Sequence, residues 1–237
     1  MNAPTSRPVA VLFDVGGTIA WLDTQVVADC LKDLGIDATA SALERGEIVA
    51  KRAYEARLVA GEPHDWQAHV RTILHEAGVH TYDLTRALHA LLAEHTRLNL
   101  WRKVLPGTRE ALTSLRAQGV RTAVVSNSEG QLPALMQHLG LFDCFELIVD
   151  SAHEGVSKPD PELFRRALHR LHLKAETTLY IGDLPSVDVA GARAAGMLAC
   201  LLDPDNVHAA RTDVWRVASL GEFADALQKL PVEQTAT

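Results

Sequence analysis

The stretch Val11-Leu-Phe-Asp-Val-Gly-Gly-Thr-Ile-Ala-Trp-Leu-Asp23 begins as an apolar run and stops on a single acid, Asp14. Two glycines, Gly16 and Gly17, and Thr18 follow. A run this short and this apolar, without alternation, suits a strand buried on both faces, as in a parallel sheet. A carboxylate at the end of such a strand is costly unless it has work to do.

The same kind of run recurs at Val9 to Phe13, Thr122 to Val125, Leu147 to Val149, Leu179 to Ile181 and Leu198 to Leu202. Helical patterns lie between them, at Arg109 to Gln118, Gln131 to His138, Pro161 to Leu171 and Val187 to Ala195. Gly119, Gly140 and Gly196 stand where a helix C-terminus favours a left-handed residue. Strand and helix in alternation predict a doubly wound α/β domain. From about Asp23 to Lys103 the periodicity is helical only, with one stripe at Val26, Val27, Cys30, Leu31 and Leu34 and another at Leu84, Leu88, Leu91, Leu92 and His95. That segment predicts a four-helix insertion between the first and second strands, with Pro106-Gly107 marking the return. The expected division is therefore a core of residues 1–20 and 104–237 and an all-α domain of residues 21–103. The tail after Leu230 reads as frayed.

The chain has 237 residues, 47% of them hydrophobic, enough for a full core and a second small one. A net charge of −7 argues against nucleic acid or an anionic membrane as partner. It leaves room for a phosphorylated small molecule, because backbone amides and a metal oppose the overall sign locally. Cys30, Cys144 and Cys200 form no CxxC pair and read as reduced thiols. With no signal-peptide pattern and no membrane-spanning stretch, the expectation is a soluble cytoplasmic protein, monomer or homodimer.

In an open parallel sheet, ligands bind at the carboxyl ends of the strands. There the sequence puts Asp14, Ser126-Asn127 and Gly182-Asp183, with Asp188 five residues on and Lys158 in the loop GVSKPDPELF between the third and fourth predicted strands. Singly, each has an ordinary reading: turn former, N-cap, Asx turn, first-turn acid, solvated lysine. In this order, each at a strand end or an adjoining loop, they point to one centre.

FDVGGT, VVSNS, VSKPDPELF and IGDLPSVDVAGARAAGM together resemble the four motifs of the haloacid dehalogenase-like hydrolase superfamily. The resemblance covers nearly all of the Rossmann-like part, and the helical insertion matches the position of that family's helical cap. It implies that Asp14 is a nucleophile forming an aspartyl-phosphate. Asp14, the Gly16 carbonyl and Asp183 would hold Mg²⁺, with Asp188 supporting the ion directly or through water. Gly17, Ser126, Asn127 and Lys158 would bind phosphate, with Gly17 also shaping the turn beneath Asp14, and Lys158 would offset the negative charge and keep Asp14 ionised. The family's phosphatases usually carry a second aspartate two residues after the first, as general acid and base; here that residue is Gly16.

Three readings follow. One is Mg²⁺-dependent phosphatase-type hydrolysis of a small phosphorylated metabolite with an unusual acid/base arrangement. Another is phosphonatase-like chemistry with a Schiff-base lysine in the cap, for which Lys51 in EIVAKRAYEARL is the one well inside the insertion; its ordinary reading, a solvated charged face, is the better one. The third is a non-catalytic binding protein. A metal-free halide-displacing enzyme would have no use for Asp183. Trp21, Trp66, Trp101, His64 and His69 are candidates for a substrate entrance, with core packing as the commoner fate of such a Trp.

Overall fold

A computed structural model describes residues 3–62 and 65–232; His64 and the last part of the tail lie outside the described residues. In chain order the elements are β1 (Ala10–Phe13), β2 (Ala20–Leu22), α1 (Thr24–Asp33), α2 (Ala40–Val59), α3 (Trp66–Glu76), α4 (Leu84–Arg97), β3 (Trp101–Val104), α5 (Thr108–Ala117), β4 (Arg121–Ser126), α6 (Leu132–His138), β5 (Ile148–Asp150), α7 (Ser151–Glu154), α8 (Pro161–Leu171), β6 (Thr178–Gly182), α9 (Ala190–Ala194), β7 (Leu198–Leu202), β8 (Trp215–Val217) and α10 (Leu220–Gln228). Contacts divide the chain into two compact units, Met1–Ala20 with Val104–Thr237, and Trp21–Lys103.

The first unit is built on a six-stranded sheet in the order β5-β4-β1-β6-β7-β8, with every neighbouring pair parallel. This is the expected doubly wound α/β sheet. β1 is central; the chain builds outward to β5 on one side, then crosses back to place β6 on the other. Strand order reverses at β1, which opens a crevice at its carboxyl end.

Side-chain period decides what faces that crevice. Ala10 and Leu12 lie on one face of β1, where they share a core with Ala123, Val125, Tyr180 and the α8 stripe Leu163, Phe164, Ala167, Leu168 and Leu171. Asp14, two residues beyond Leu12, continues that face. α8 starts sharply because Asp160 caps it, accepting from Glu162 N, and Pro161 supplies a preset first turn. Each fully buried Leu or Phe of this stripe contributes about 1.5–3 kcal/mol. Gly119, Gly140 and Gly196 all take positive φ at helix ends, as expected.

Among the described residues the second unit holds four helices, each of the first three opened by a side chain that accepts a backbone N–H: Asp23 for α1, Thr39 for α2 and Asp65 for α3. Their core includes Leu31, Leu43, Ile73, Leu74 and Leu91. Both expected stripes contribute to it, but Leu92 turns outward, 39% exposed. The insertion is not helical throughout: β3 starts at Trp101 and pairs with β2 in a two-stranded ribbon. No helix among the described residues is long and apolar enough to cross a membrane.

Candidate active site

The carboxyl ends of β1, β4 and β6 deliver Asp14, Ser126 and Asp183, and the loop before α8 delivers Lys158. Asp188 comes from a wide helical turn, Pro185–Val189, just after β6. All five side chains are buried. The Asp14 backbone N–H still donates to Ile181 O at 2.9 Å, so the sheet ladder fixes the acid before its side chain makes any contact.

Two donors converge on Asp14 Oδ1: Ser126 Oγ at 2.7 Å and Lys158 Nζ at 2.6 Å. Oδ2 receives neither. The Lys158 ammonium has three N–H groups and uses all of them, donating also to Asp188 Oδ1 at 2.7 Å and to the Tyr180 hydroxyl at 2.9 Å. Tyr180 in turn donates to Val125 O at 2.7 Å. Asp188 Oδ2 accepts the backbone N–H groups of Asp183 and Leu184 at 3.0 and 2.9 Å.

These contacts refine the sequence-derived roles. Asp188 is occupied on both oxygens and works first as the anchor that fastens the β6 loop to Lys158. The Asn127 side chain is turned to Lys158, its Oδ1 accepting from Lys158 N at 2.8 Å and its Nδ2 donating to Lys158 O at 3.0 Å. That reciprocal pair fastens the lysine loop to the end of β4, so the carboxamide clamps the Lys158 backbone. The Gly17 N–H is likewise taken, by Ala20 O at 2.9 Å. What Gly17 supplies is space and a left-handed turn, with φ at +73°; a Cβ there would press into Asp183 Oδ2. Gly17→Ala is therefore expected to combine about 1–2 kcal/mol of backbone strain with displacement of Asp183. Chemical denaturation, and calorimetry with Mg²⁺, would read the two effects separately.

Tyr180 is the site residue that sequence reasoning missed. The only signal was one tyrosine in the otherwise aliphatic TLYIG of β6, and a tyrosine in a buried strand is ordinarily core.

Burial pushes the Asp14 carboxyl up, Lys158 pulls it down, and Asp188 and Asp183 push it up again, from 3.8 to about 6. Lys158 moves the other way from a buried lysine's habit: burial pulls it down, but Asp14 and Asp188 outweigh that and hold it above its ordinary range, so it stays charged. The folded protein thus binds a proton at Asp14 that the unfolded chain releases between pH 3.8 and about 6. The Asp14 contribution to metal-free stability is present at low pH and is lost as pH rises through that window. Urea midpoints between pH 4 and 7, compared for wild type and Asp14→Asn, check this: the variant should gain on wild type as pH rises.

One carboxylate oxygen each from Asp14, Asp183 and Asp188 lie within 4.8 Å of one another. A buried, all-oxygen set of this kind suits a hard divalent cation. The absence of a Cβ at Gly17 lets the Asp183 carboxylate take its place in that set. The donor set therefore fits Mg²⁺.

In the helical unit, Trp66, Trp101, His69 and His95 pack with one another, with Trp66 and His95 ring centroids 4.9 Å apart and His69 and Trp101 centroids 5.8 Å apart. His69 Nε2 lies 3.3 Å from Glu47 Oε2, and Trp101 Nε1 donates to Glu47 Oε1. For Trp66 and Trp101 the core-packing reading holds, as both pack against that unit's apolar cluster. Trp21 is half-buried, as is Lys51 in α2.

Comparisons with known proteins agree with this geometry. The family model described as haloacid dehalogenase-like hydrolase matches residues 9–196. Haloacid dehalogenase-like hydrolase domain-containing protein 3 of Bos taurus is 30% identical over 179 residues, 71% of this chain and 70% of that protein. The plasmid phosphoglycolate phosphatase of Cupriavidus necator is 40% identical over 100 residues, 42% of this chain and 43% of that one. Among solved structures, the HAD-hydrolase YfnB of Bacillus subtilis bound to magnesium is similar with a TM-score of 0.69 at 22% identity, over 93% of this chain and 99% of that chain. That last likeness speaks for the fold alone. The family match spans all four motifs, from the strand that ends in Asp14 to the helix after Asp188, and the chain belongs to the haloacid dehalogenase-like hydrolases.

Proposed function

We propose that this hydrolase is of the phosphatase type and cleaves a small phosphorylated molecule by attack of Asp14 on phosphorus. The observation that carries the reading is the convergence of Ser126 and Lys158 on one oxygen of Asp14, beside the carboxylate of Asp183. A carboxylate held this way is oriented as a nucleophile, and the lysine reduces the repulsion an anionic substrate meets. Support comes also from the phosphatase name of the Cupriavidus relative.

Asp14, Asp183 and the Gly16 carbonyl would hold Mg²⁺, with Asp188 fixing the loop that presents Asp183. Bound there, the ion supplies positive charge against the phosphoryl oxygens. The chain's own groups do the rest. Ser126 and Lys158 keep Asp14 in one rotamer. Asn127 keeps Lys158 at the mouth of the crevice. The Asp183 and Leu184 amides keep Asp188 in place. The helical unit of residues 21–103 serves, in this reading, as the cap that sets substrate choice.

A panel of phosphate esters and acyl phosphates, assayed with Mg²⁺ and with EDTA, tests the proposal. Activity should require the ion, and Asp183→Ala should lower it by at least about 10²-fold while weakening Mg²⁺ binding by calorimetry. Full turnover in EDTA, or an unimpaired Asp183→Ala, would overturn the metal role.

A further inference from the structure

A phosphate ester with a basic leaving group needs a proton as its bond to phosphorus breaks, and among the described residues the side chains gathered on Asp14 have theirs already engaged. The Ser126 hydroxyl proton is on Asp14 Oδ1. The three ammonium protons of Lys158 are on Asp14, Asp188 and Tyr180. The Tyr180 proton is on Val125 O. Asp188 accepts on both oxygens. Gly16, two residues past the nucleophile on the turn that leaves β1, has no side chain at all.

From this we infer that the enzyme is built for phosphoryl compounds whose leaving group departs unprotonated: acyl phosphates and other phosphates of acidic hydroxyls, rather than phosphates of sugars and simple alcohols. The inference rests on the phosphatase reading and narrows its substrate class. In the first step a carboxylate oxygen of Asp14 bonds to phosphorus while the bond from phosphorus to the leaving oxygen breaks. The leaving group keeps the electron pair and departs as a carboxylate or phenolate, with no proton needed. In the second step water bonds to phosphorus, Asp14 leaves as carboxylate, and the proton of the water passes to the released phosphate or to solvent. Among the described residues gathered on Asp14 no side-chain base is free to assist that step either, so the phosphoenzyme accumulates.

The test is a series of substituted phenyl phosphates of graded phenol acidity, with acetyl phosphate and glycerol phosphate at the extremes, assayed on the full chain with Mg²⁺. Expected is a steep fall in kcat/KM as the leaving group becomes more basic, with acetyl phosphate ahead of glycerol phosphate by about 10²–10⁴-fold, the usual worth of a general acid. Rapid quench with acetyl phosphate should show a burst of phosphoenzyme before slow turnover. Gly16→Asp should raise glycerol phosphate turnover far more than acetyl phosphate turnover, flattening the series; if that variant does not fold, the wild-type series decides alone. A wild-type series flat to within about tenfold would overturn the inference. So would a flat series that turns steep in His153→Ala or His208→Ala, since those histidines follow β5 and β7 at this end of the sheet and would then be the acid. No turnover and no phosphoenzyme with any substrate would sink the phosphatase reading itself, a result distinct from turnover with a flat series.

Discussion

Asp14→Asn is expected to abolish phosphatase turnover, by about 10⁴-fold or more, while leaving the protein folded. The amide keeps the size and the acceptor oxygen that Ser126 and Lys158 bond, but it cannot form a bond to phosphorus and depart again as a carboxylate. Stability should move little or improve at neutral pH. Burial and the two neighbouring carboxylates already raise Asp14 to about 6, so ionising it is disfavoured in the metal-free fold. Replacing it with a neutral group removes that conflict, and Lys158 retains Asp188 as its counterion. A thermal melt of metal-free protein beside a burst assay checks both halves. Phosphoenzyme formed by the variant would remove Asp14 from the nucleophile's place.

Lys158→Met should have the largest effect on stability. The side chain is 3% exposed and is the shared counterion of two buried carboxylates, Asp14 and Asp188, at 2.6 and 2.7 Å. Removing one partner of a buried ion pair typically destabilises by about 3–5 kcal/mol, because the remaining charge is left without compensation. Here two charges are left, so the metal-free protein should lose stability at neutral pH and regain part of it on acidification, when the carboxylates take up protons. Mg²⁺ should also restore stability, by binding the carboxylates the lysine no longer neutralises. Turnover should fall steeply even with the ion bound, since Asp14 would lose one of the two donors that orient it. A loss under about 1 kcal/mol at neutral pH, measured by urea denaturation, would show that Lys158 is not what holds the acids together.

The two variants move the same pair in opposite directions. One removes a charge the fold tolerates poorly and the other removes the charge that makes it tolerable, so their pH profiles of stability should diverge. Asp14→Asn should gain on wild type as pH rises above 4, and Lys158→Met should lose. That divergence would locate the electrostatic balance of the site in the Asp14–Lys158–Asp188 cluster rather than in the surface ion pairs, such as Arg121–Glu146, which are solvated and screened.

The sequence alone determined the parallel sheet and the residues at its functional edge. Three-to-five-residue runs rich in Val, Ile and Leu, recurring between helical patterns, have few alternatives to strands buried on both faces, and an acid or a serine that ends one is placed by covalent connection. Asp14, Ser126 and Asp183 therefore needed only the strand that carries them. The helix of Pro161–Leu171 was legible for the same local reason: its apolar stripe, its Asp160 cap and its Pro161 start all lie within a few turns. The short strands β2, β3 and β8 carry no such mark. β2 and β8 have three residues each, β3 and β8 are mostly half-exposed, and all three exist because a partner strand lies beside them.

Tertiary structure decided which partners each candidate site residue contacts. The sequence offers Asp188 as a support for a metal, and the structure adds that Lys158 and two loop amides hold its two oxygens. The sequence places Asn127 at the end of its strand, and the structure adds that its carboxamide clamps the Lys158 backbone. Tyr180, which nothing local marks out, accepts from Lys158. Each of those roles rests on a hydrogen bond whose partner comes from another strand or loop, as with Tyr180 and Val125, 55 residues apart, or Asn127 and Lys158, 31 apart. A hydrogen bond depends on a few tenths of an ångström and on direction, and neither is encoded by residue type or local period. The sequence could name the groups; only packing β4, β1 and β6 side by side could say which of their protons and lone pairs were already spoken for.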